Sequence, residues 1–444
     1  MRADSSCVRE SGLIERGRSR KPAGKPQREP AAISPARAAA LDVLLQVAAT
    51  SAHSDDLLHG PRLAGLSQPD RDLTTALVLG VLRWQIALDA RVRPFLSRPE
   101  ARLAEPVAIA LRMGAFQLLH MERIPAHAAL NESVELVRAA GHVHAAGMVN
   151  ALLRKLVGAG AARKPLVESV EAMAERLGHP AWIVQRWAAA YGRSAAEALC
   201  AFDQQEPACA AIFGEAWTAP VMDAGSRLVA EMAAVAKPDA RRVWDCCAAP
   251  GGKTIVLASR LADAEVLATD ASPVRARRLG QRLTRELPDR TVRVEHADAT
   301  SLPPSMGDFD LILCDVPCSG TGTLARNPEL RHRLQAGDLT RQAERQRRIL
   351  AGALGRLAPG GCLLYSTCSL ELEECESVVD AVLRTQKGIR KQNVAPLLKE
   401  LFAEDRLHAE ETDVQRWQRG EYLRTLPGLN FEGDGFFAAL LTRE

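Results

Sequence analysis

The stretch VWDCCAAPGGKTIVLASRL, Val243–Leu261, decides the fold class. A short apolar run, VWDCC, stops at a Pro-Gly-Gly turn and passes straight into a helical pattern expected over Thr254–Leu261. The same strand-to-helix alternation continues downstream. Strand-like runs occur as EVLATD from Glu265, VRVEHAD from Val292, DLILCDVP from Asp310 and CLLYSTCS from Cys362. Helical patterns separate or follow them at Pro273–Glu286, Leu339–Leu357 and Glu374–Gln386, and GFFAALLTRE at the end fits a closing strand. Alternation of this kind specifies a parallel sheet with helices on its faces, so a doubly wound, Rossmann-like α/β domain is expected over residues 221–444.

Upstream of Val221 the pattern is helical throughout. ARAAALDVLLQVAA, TTALVLGVLRWQIALDARV, VAIALRMGAFQLLHM and NESVELVRAAG carry apolar residues at helical spacing, predicting an all-α domain over residues 31–157. A helical linker over residues 158–220 includes HPAWIVQRWAAAY, His179–Tyr191, and ends in a connector containing Pro207 and Pro220. The first thirty residues are basic, rich in Pro, Gly and Ser, and lack hydrophobic periodicity; a disordered tail is expected there.

Composition narrows the function class. A chain of 444 residues exceeds one ordinary core. No run approaches the roughly 20 uninterrupted apolar residues of a membrane span, and the N-terminus lacks a secretory pattern, so no membrane partner and a cytoplasmic address are expected. Ten cysteines are scattered without C-x-x-C pairs at zinc spacing, which predicts reduced thiols and no metal site. A net charge of +3 neither demands nor excludes a nucleic-acid partner.

The strand ends carry the chemistry. DCCAAPGGKT, Asp245–Thr254, is neither a P-loop nor a dinucleotide fingerprint, but its glycines allow close backbone approach to a ligand at a helix N-terminus. About twenty residues further on, Asp270 ends the second strand, where an acid commonly takes ribose hydroxyls. Asp298 ends the third and is placed to reach an adenine edge. Each residue alone also fits a turn or helix cap. Three consecutive strand ends meeting at one crevice favour a nucleoside-bearing cofactor.

Cys318 lies in the Pro-Cys-Ser-Gly loop of DVPCSGTG, and Cys368 at the mouth of a neighbouring strand in STCSLELEE. Cys314 and Cys362, inside apolar strands, read instead as small buried hydrophobes. Two thiols beside a nucleoside cofactor suit methylation at carbon 5 of cytosine, which is too weak a nucleophile unless a thiolate first adds at carbon 6. The second thiol then suits removal of the carbon-5 proton, and Asp315 suits hydrogen bonding to the ring. The target base must be unstacked to expose its face.

At these residues the chain resembles the RNA 5-methylcytosine methyltransferases of the NOP/Sun type, and within them the bacterial RsmB (Sun/Fmu) family acting on 16S ribosomal RNA. The matching pieces are DCCAAPGGKT, ATDASP, HAD, DVPCSGTG with ARNPELR, YSTCSLELEE and DGFFAALL, in the family's order. The resemblance implies S-adenosylmethionine as cofactor, 16S rRNA as partner, Cys368 as nucleophile and Cys318 as the thiol assisting release. It also implies cofactor contacts from Cys247, Ala248, Ala249, Pro250, Gly251, Gly252 and Lys253, joined by Asp270, Asp298 and Asp315. A DNA cytosine methyltransferase would carry its nucleophile in the Pro-Cys motif instead.

RIPAHAALNESVELVR, Arg123–Arg138, and GMVNALLRKL, Gly147–Leu156, resemble the NusB-like RNA-binding module of the same family. That favours a ribosomal target over transfer RNA, and the presence of Cys368 and the glycine turn disfavours a non-catalytic ribosome-assembly factor. The chain departs from the family at Cys375, where Asn is usual, and at Met222, where Gln is usual. The stretch between the helical module and Val221 looks too short for the family's small RNA-contacting α/β subdomain, with PACAAIFGEAWTAP read as its remnant. Arg138, Arg154, Lys155 and the basic segments ARNPELRHRL and RQAERQRRIL are candidates for RNA contact, with a solvated face as the bland alternative. A monomer is expected.

Overall fold

The computed structural model describes residues 33–159, 168–207, 212–213 and 222–444. The basic N-terminal tail and most of the Pro207–Pro220 connector lie outside the described residues.

The N-terminal part is helical, as its periodicity predicts. Helices Pro35–Ala49, Gln68–Val92, Glu105–His120, Ala126–Ala139 and Ala146–Gly158 bury Leu44, Leu77, Val81, Met113, Leu136 and Leu153 in one shared core. Ser67 starts the longest helix by accepting a hydrogen bond from the Asp70 amide, with proline in the first turn. Gln68–Phe95 is long and apolar enough to cross a membrane. Leu77, Val78, Val81, Leu82 and Leu88 are buried against neighbouring helices, so protein packing accounts for that apolar surface. Three shorter helices, Val170–Arg176, Ala181–Tyr191 and Arg193–Phe202, form a second cluster around Trp187 that also takes in Leu324 and Leu370.

The C-terminal part is built on a nine-stranded sheet among the described residues. Its strands are β1 (Arg242–Asp245), β2 (Glu265–Asp270), β3 (Val292–His296), β4 (Phe309–Asp315), β5 (Leu357–Thr367), β6 (Ile389–Gln392), β7 (Gln418–Arg419), β8 (Tyr422–Arg424) and β9 (Phe437–Arg443). The order is β3-β2-β1-β4-β5-β9-β8-β7, with β6 also paired to β9. The first five strands are mutually parallel and β9 runs antiparallel to β5. One apolar layer, including Leu228, Leu257, Leu311 and Leu364, covers one face, and another, including Trp244, Ile312, Leu350 and Tyr365, covers the other. Burial on both faces explains why these strands read as continuous apolar runs. Chain order reverses between β1 and β4, so the ends of β1, β2, β4 and β5 open onto one crevice.

Element boundaries shift from the sequence reading: Thr254–Leu261 becomes Gly252–Arg260 and Glu374–Gln386 becomes Glu376–Leu383. The helix expected over Leu339–Leu357 is Ala336–Leu354, started by a reciprocal Gln335 and Asp338 capping box, and β5 already begins at Leu357. Ala-Pro-Gly-Gly reads locally as a turn, yet Phe309 of β4 pairs with Leu357 across it.

ARNPELRHRL has a structural job that its charge did not announce. Arg331 is fully buried and donates to the carbonyls of Arg83 (3.0 Å), Gly178 (3.2 Å), Asp203 (3.2 Å) and Leu324 (3.2 Å). Arg333 donates to the carbonyls of Val47 and Ala52, and Glu329 accepts from Ser54. Arg326 pairs with Asp223 and Asp434. The segment, read from sequence as a candidate for RNA contact or a solvated face, thus joins the helical part to the sheet domain, and its arginines are engaged within the protein.

Candidate active site

The strand that ends at Asp245 leads into the turn Cys246–Gly251, where the Ala249–Pro250 peptide is cis and Gly251 has φ +105°. A side chain at Gly251 would be strained by that φ, and its β-carbon would stand 2.7 Å from Leu279 Cδ1. The turn is pinned from beneath: the Ala248 amide donates to the Thr269 carbonyl (2.8 Å) and Thr254 Oγ1 to Asp245 Oδ2 (2.7 Å). Helix Gly252–Arg260 therefore begins at the crevice.

Cys247, Ala249, Asp270, Asp298 and Asp315 line one cavity of ≈ 280 Å³ at these strand ends. Asp270 accepts from the Ser272 amide and from Arg275 through Oδ1, and Asp298 accepts from the Thr300 amide through Oδ1. Each aspartate thus serves the local turn with one oxygen; among the described residues no partner is found for the second. Asp315 is engaged on both sides, by Lys253 Nζ at 2.7 Å and by Ser366 Oγ at 2.8 Å. Ala248, Pro250, Gly251, Gly252 and Lys253 shape the turn beside this cavity rather than lining it. The adjacent acidic, hydroxyl-seeking and backbone-lined surfaces fit a nucleoside linked to a polar amino-acid tail.

The two cysteines, fifty positions apart, meet: Cys318 Sγ lies 3.2 Å from Cys368 Sγ, both partly exposed. Adjacent parallel strands cause this, because Asp315 of β4 is paired with Ser366 of β5 and the chain leaves both strands at the same edge. Gly322 holds the two loops close, donating its amide to the Cys368 carbonyl (2.9 Å). A β-carbon there would stand 2.8 Å from that carbonyl oxygen.

Electrostatics separate the groups. The hydrogen bond with Cys318, then burial, push the Cys368 thiol well above its ordinary value; Asp315 adds to this and Lys253 opposes it. Burial acts to lower the Lys253 ammonium, but Asp315 outweighs it and leaves it raised. Burial also pushes the Asp245 carboxyl up to about 7, against the Thr254 hydrogen bond. Cys314 and Cys362 are buried, as expected of structural thiols.

Several contributors were not singled out from the sequence. Arg345 and Arg348, three positions apart in helix Ala336–Leu354, line the same cavity, as does Arg275. Their spacing in RQAERQRRIL places them on one helical face, a signal that was present but did not say which face met the site. Ser366 and Glu374 left no local trace. Of the other RNA candidates, Arg138 is paired with Glu135, Arg154 bonds Asn150, and Lys155 is exposed.

Comparison with known proteins agrees with this architecture. Residues 232–442 match the model of the family described as 16S rRNA methyltransferase RsmB/F, and residues 34–158 match the NusB family. The chain is similar to ribosomal RNA small subunit methyltransferase B of Xanthomonas campestris pv. campestris, at 33% identity over 86% of this chain and 91% of that protein. It is also similar to the protein of that name from Salmonella arizonae, at 28% identity over 85% and 92%. The crystal structure of PH0851 shares the fold, with a TM-score of 0.70 at 19% identity, covering 94% of this chain and 100% of that one. With a relative this similar over nearly its whole length, the chain belongs to the RsmB/F family of methyltransferases and carries a NusB-family helical domain ahead of the catalytic fold.

Proposed function

We propose that this protein uses S-adenosylmethionine to methylate carbon 5 of a cytosine in 16S ribosomal RNA through a covalent adduct, acting in the cytoplasm. The observation that carries the reading is the pair Cys318 and Cys368, 3.2 Å apart beside a cavity lined by Asp270, Asp298 and Asp315. The family match and the relatives' names support a ribosomal substrate, and the NusB-family domain supports RNA over a free nucleoside.

The cofactor, when bound, supplies an electrophilic methyl group. The chain's residues do the rest. Asp270 and Asp298 would hold the nucleoside part, and the turn Cys247–Lys253, which presents Cys247 and Ala249 to the cavity, would hold the polar tail together with Asp315. The thiolate of Cys368 adds to carbon 6 of the flipped-out cytosine, forming the S–C6 bond and moving the ring electrons so that carbon 5 becomes nucleophilic. Asp315 accepts a hydrogen bond from the cytosine amino group, and the Lys253 ammonium paired with it offsets the negative charge that develops on the ring. After methylation, Cys318 takes the carbon-5 proton; the freed electron pair restores the C5–C6 double bond and expels Cys368. Arg345 and Arg348, at the cavity wall, are placed to meet the phosphates of the entering strand.

The test is methylation of small-subunit RNA and of transfer RNA, each from cells lacking the enzyme, with labelled cofactor. Methyl transfer to 16S rRNA that disappears in Cys368→Ala supports the proposal, and Cys318→Ala should accumulate an RNA adduct stable on a denaturing gel. Full activity of Cys368→Ala overturns the nucleophile assignment, and labelling of transfer RNA alone overturns the target.

A further inference from the structure

We propose that Glu374 is a positioning residue that sets the separation of Cys318 and Cys368; this deepens the reading above and rests on those two thiols being the reacting pair. Glu374 is fully buried at the end of the short helical turn Leu372–Glu374 that follows Cys368, and each of its carboxylate oxygens receives two donors. Oε1 accepts from the Ser319 amide (2.9 Å) and from Gln346 Nε2 (2.9 Å). Oε2 accepts from Ser369 Oγ (2.6 Å) and from Ser319 Oγ.

Ser319 directly follows Cys318 and Ser369 directly follows Cys368. One carboxylate therefore holds the residue next to each thiol, from two loops that are remote in sequence. Gln346 extends the hold to the other side of Cys318 by donating also to the Pro317 carbonyl (3.0 Å). Tyr365 anchors the carboxylate's own backbone, donating to the Glu374 carbonyl (2.8 Å). Four donors on a buried carboxylate make a saturated network, and such networks hold geometry because leaving any member unpaired is costly. Glu374 does not reach the thiols. It acts through Ser319 and Ser369.

Carboxylate chemistry is specific here. An amide at this position presents two hydrogens where only donors converge on Oε1, whereas the serine hydroxyls at Oε2 can rotate to accept from it. Glu374→Gln should therefore keep part of the function that Glu374→Ala loses; Ser369→Ala severs the arm beside Cys368, and Ser319→Ala weakens the other by removing its hydroxyl while its amide still reaches Oε1.

The experiment has two arms on the full-length protein. In the first, diamide oxidises the thiol pair without RNA or cofactor: the two thiols give up two electrons and two protons, the S–S bond forms, and diamide is reduced to its hydrazine. The Cys318–Cys368 linkage is timed by peptide mapping. In the second, single-turnover methylation and RNA affinity are measured on the same variants, with thermal melting as the folding control. The expected result is slow disulfide formation in Glu374→Ala, intermediate rates in Glu374→Gln and the two serine variants, and turnover reduced about 10²-fold in Glu374→Ala, the scale of a misplacement near 1 Å, with RNA affinity unchanged. If Glu374→Ala melts early, the serine variants decide. Wild-type disulfide and turnover rates in folded variants overturn the proposal. Slow disulfide formation in these variants together with full activity of Cys368→Ala upholds the positioning role and overturns the catalytic reading instead.

Discussion

Lys253 Nζ stands 2.7 Å from Asp315 Oδ2, so the turn that ends β1 is tied to the loop that carries Cys318. The glycine turn and the loop beside the two thiols are thereby fixed to one another through this ion pair, with Ser366 as the second partner of the carboxylate. Asp315→Asn keeps the shape and the Ser366 contact but removes the charge. Single-turnover methylation should fall about 10²–10⁴-fold while RNA affinity, measured by filter binding, stays close to wild type. An unchanged rate would take Asp315 out of the chemistry.

The Cys368 thiol is held above its ordinary value first by its hydrogen bond with Cys318. In the proposed mechanism the attacking species is the thiolate, so the single-turnover rate of the wild type should climb with pH through and beyond neutrality. Removing the first cause reverses the direction: in Cys318→Ala the ionisation of Cys368 should move to lower pH. The pH dependence of Cys368 alkylation by iodoacetamide, followed by mass spectrometry, measures it. A midpoint at or above the wild-type value would contradict the assignment.

Asp245 makes stability depend on pH. Burial raises its carboxyl from 3.8 to about 7, so the folded state holds this proton more tightly than the unfolded chain. The associated stability is complete below pH 3.8, declines as pH rises and is lost through about pH 7. The change is on the order of a few kcal/mol. Asp245→Asn, which can still accept from Thr254, should flatten the stability profile over that interval. Urea denaturation at a series of pH values checks it, and a variant profile parallel to wild type would refute it.

Arg331 gives four hydrogen bonds to backbone carbonyls of four segments, although burial lowers its pKa to about 10. Arg331→Met should remove a donor from each of those carbonyls, of which Arg83 keeps Gln204 Nε2, and cost about 3–5 kcal/mol, by analogy with removing one partner from a buried charged contact. The loss should appear as separate unfolding of the helical and sheet domains, seen as two urea transitions and as faster proteolysis between them. One cooperative transition at the wild-type midpoint would show that the contact does not join the domains.

What was legible in the chain followed from local physics. Continuous apolar runs ending in Asp or a glycine turn marked β1, β2 and β4, because strands covered on both faces have no polar side to show. Helical spacing marked the N-terminal core for the same kind of reason. β6, β7 and β8 were missed, being two to four residues long and held in place by pairing, two of them with β9 itself. The onset of β5 at Leu357 was hidden by a Pro-Gly-Gly that only its neighbour β4 draws into the sheet.

The same division runs through the site. Cys318, Cys368, Asp270, Asp298 and the Asp245–Thr254 turn were visible because residue types at strand ends carry chemical meaning without knowledge of their neighbours. Charge alone left ARNPELRHRL open between RNA contact and a solvated face, since nothing local distinguishes an arginine facing phosphate from Arg331, whose acceptors are the carbonyls of Arg83, Gly178, Asp203 and Leu324. Glu374 looked like one more acid in LELEECE. Only folding brings Ser319, Gln346 and Ser369 to its two oxygens, because hydrogen bonds act over about 3 Å in space and take no account of distance along the chain.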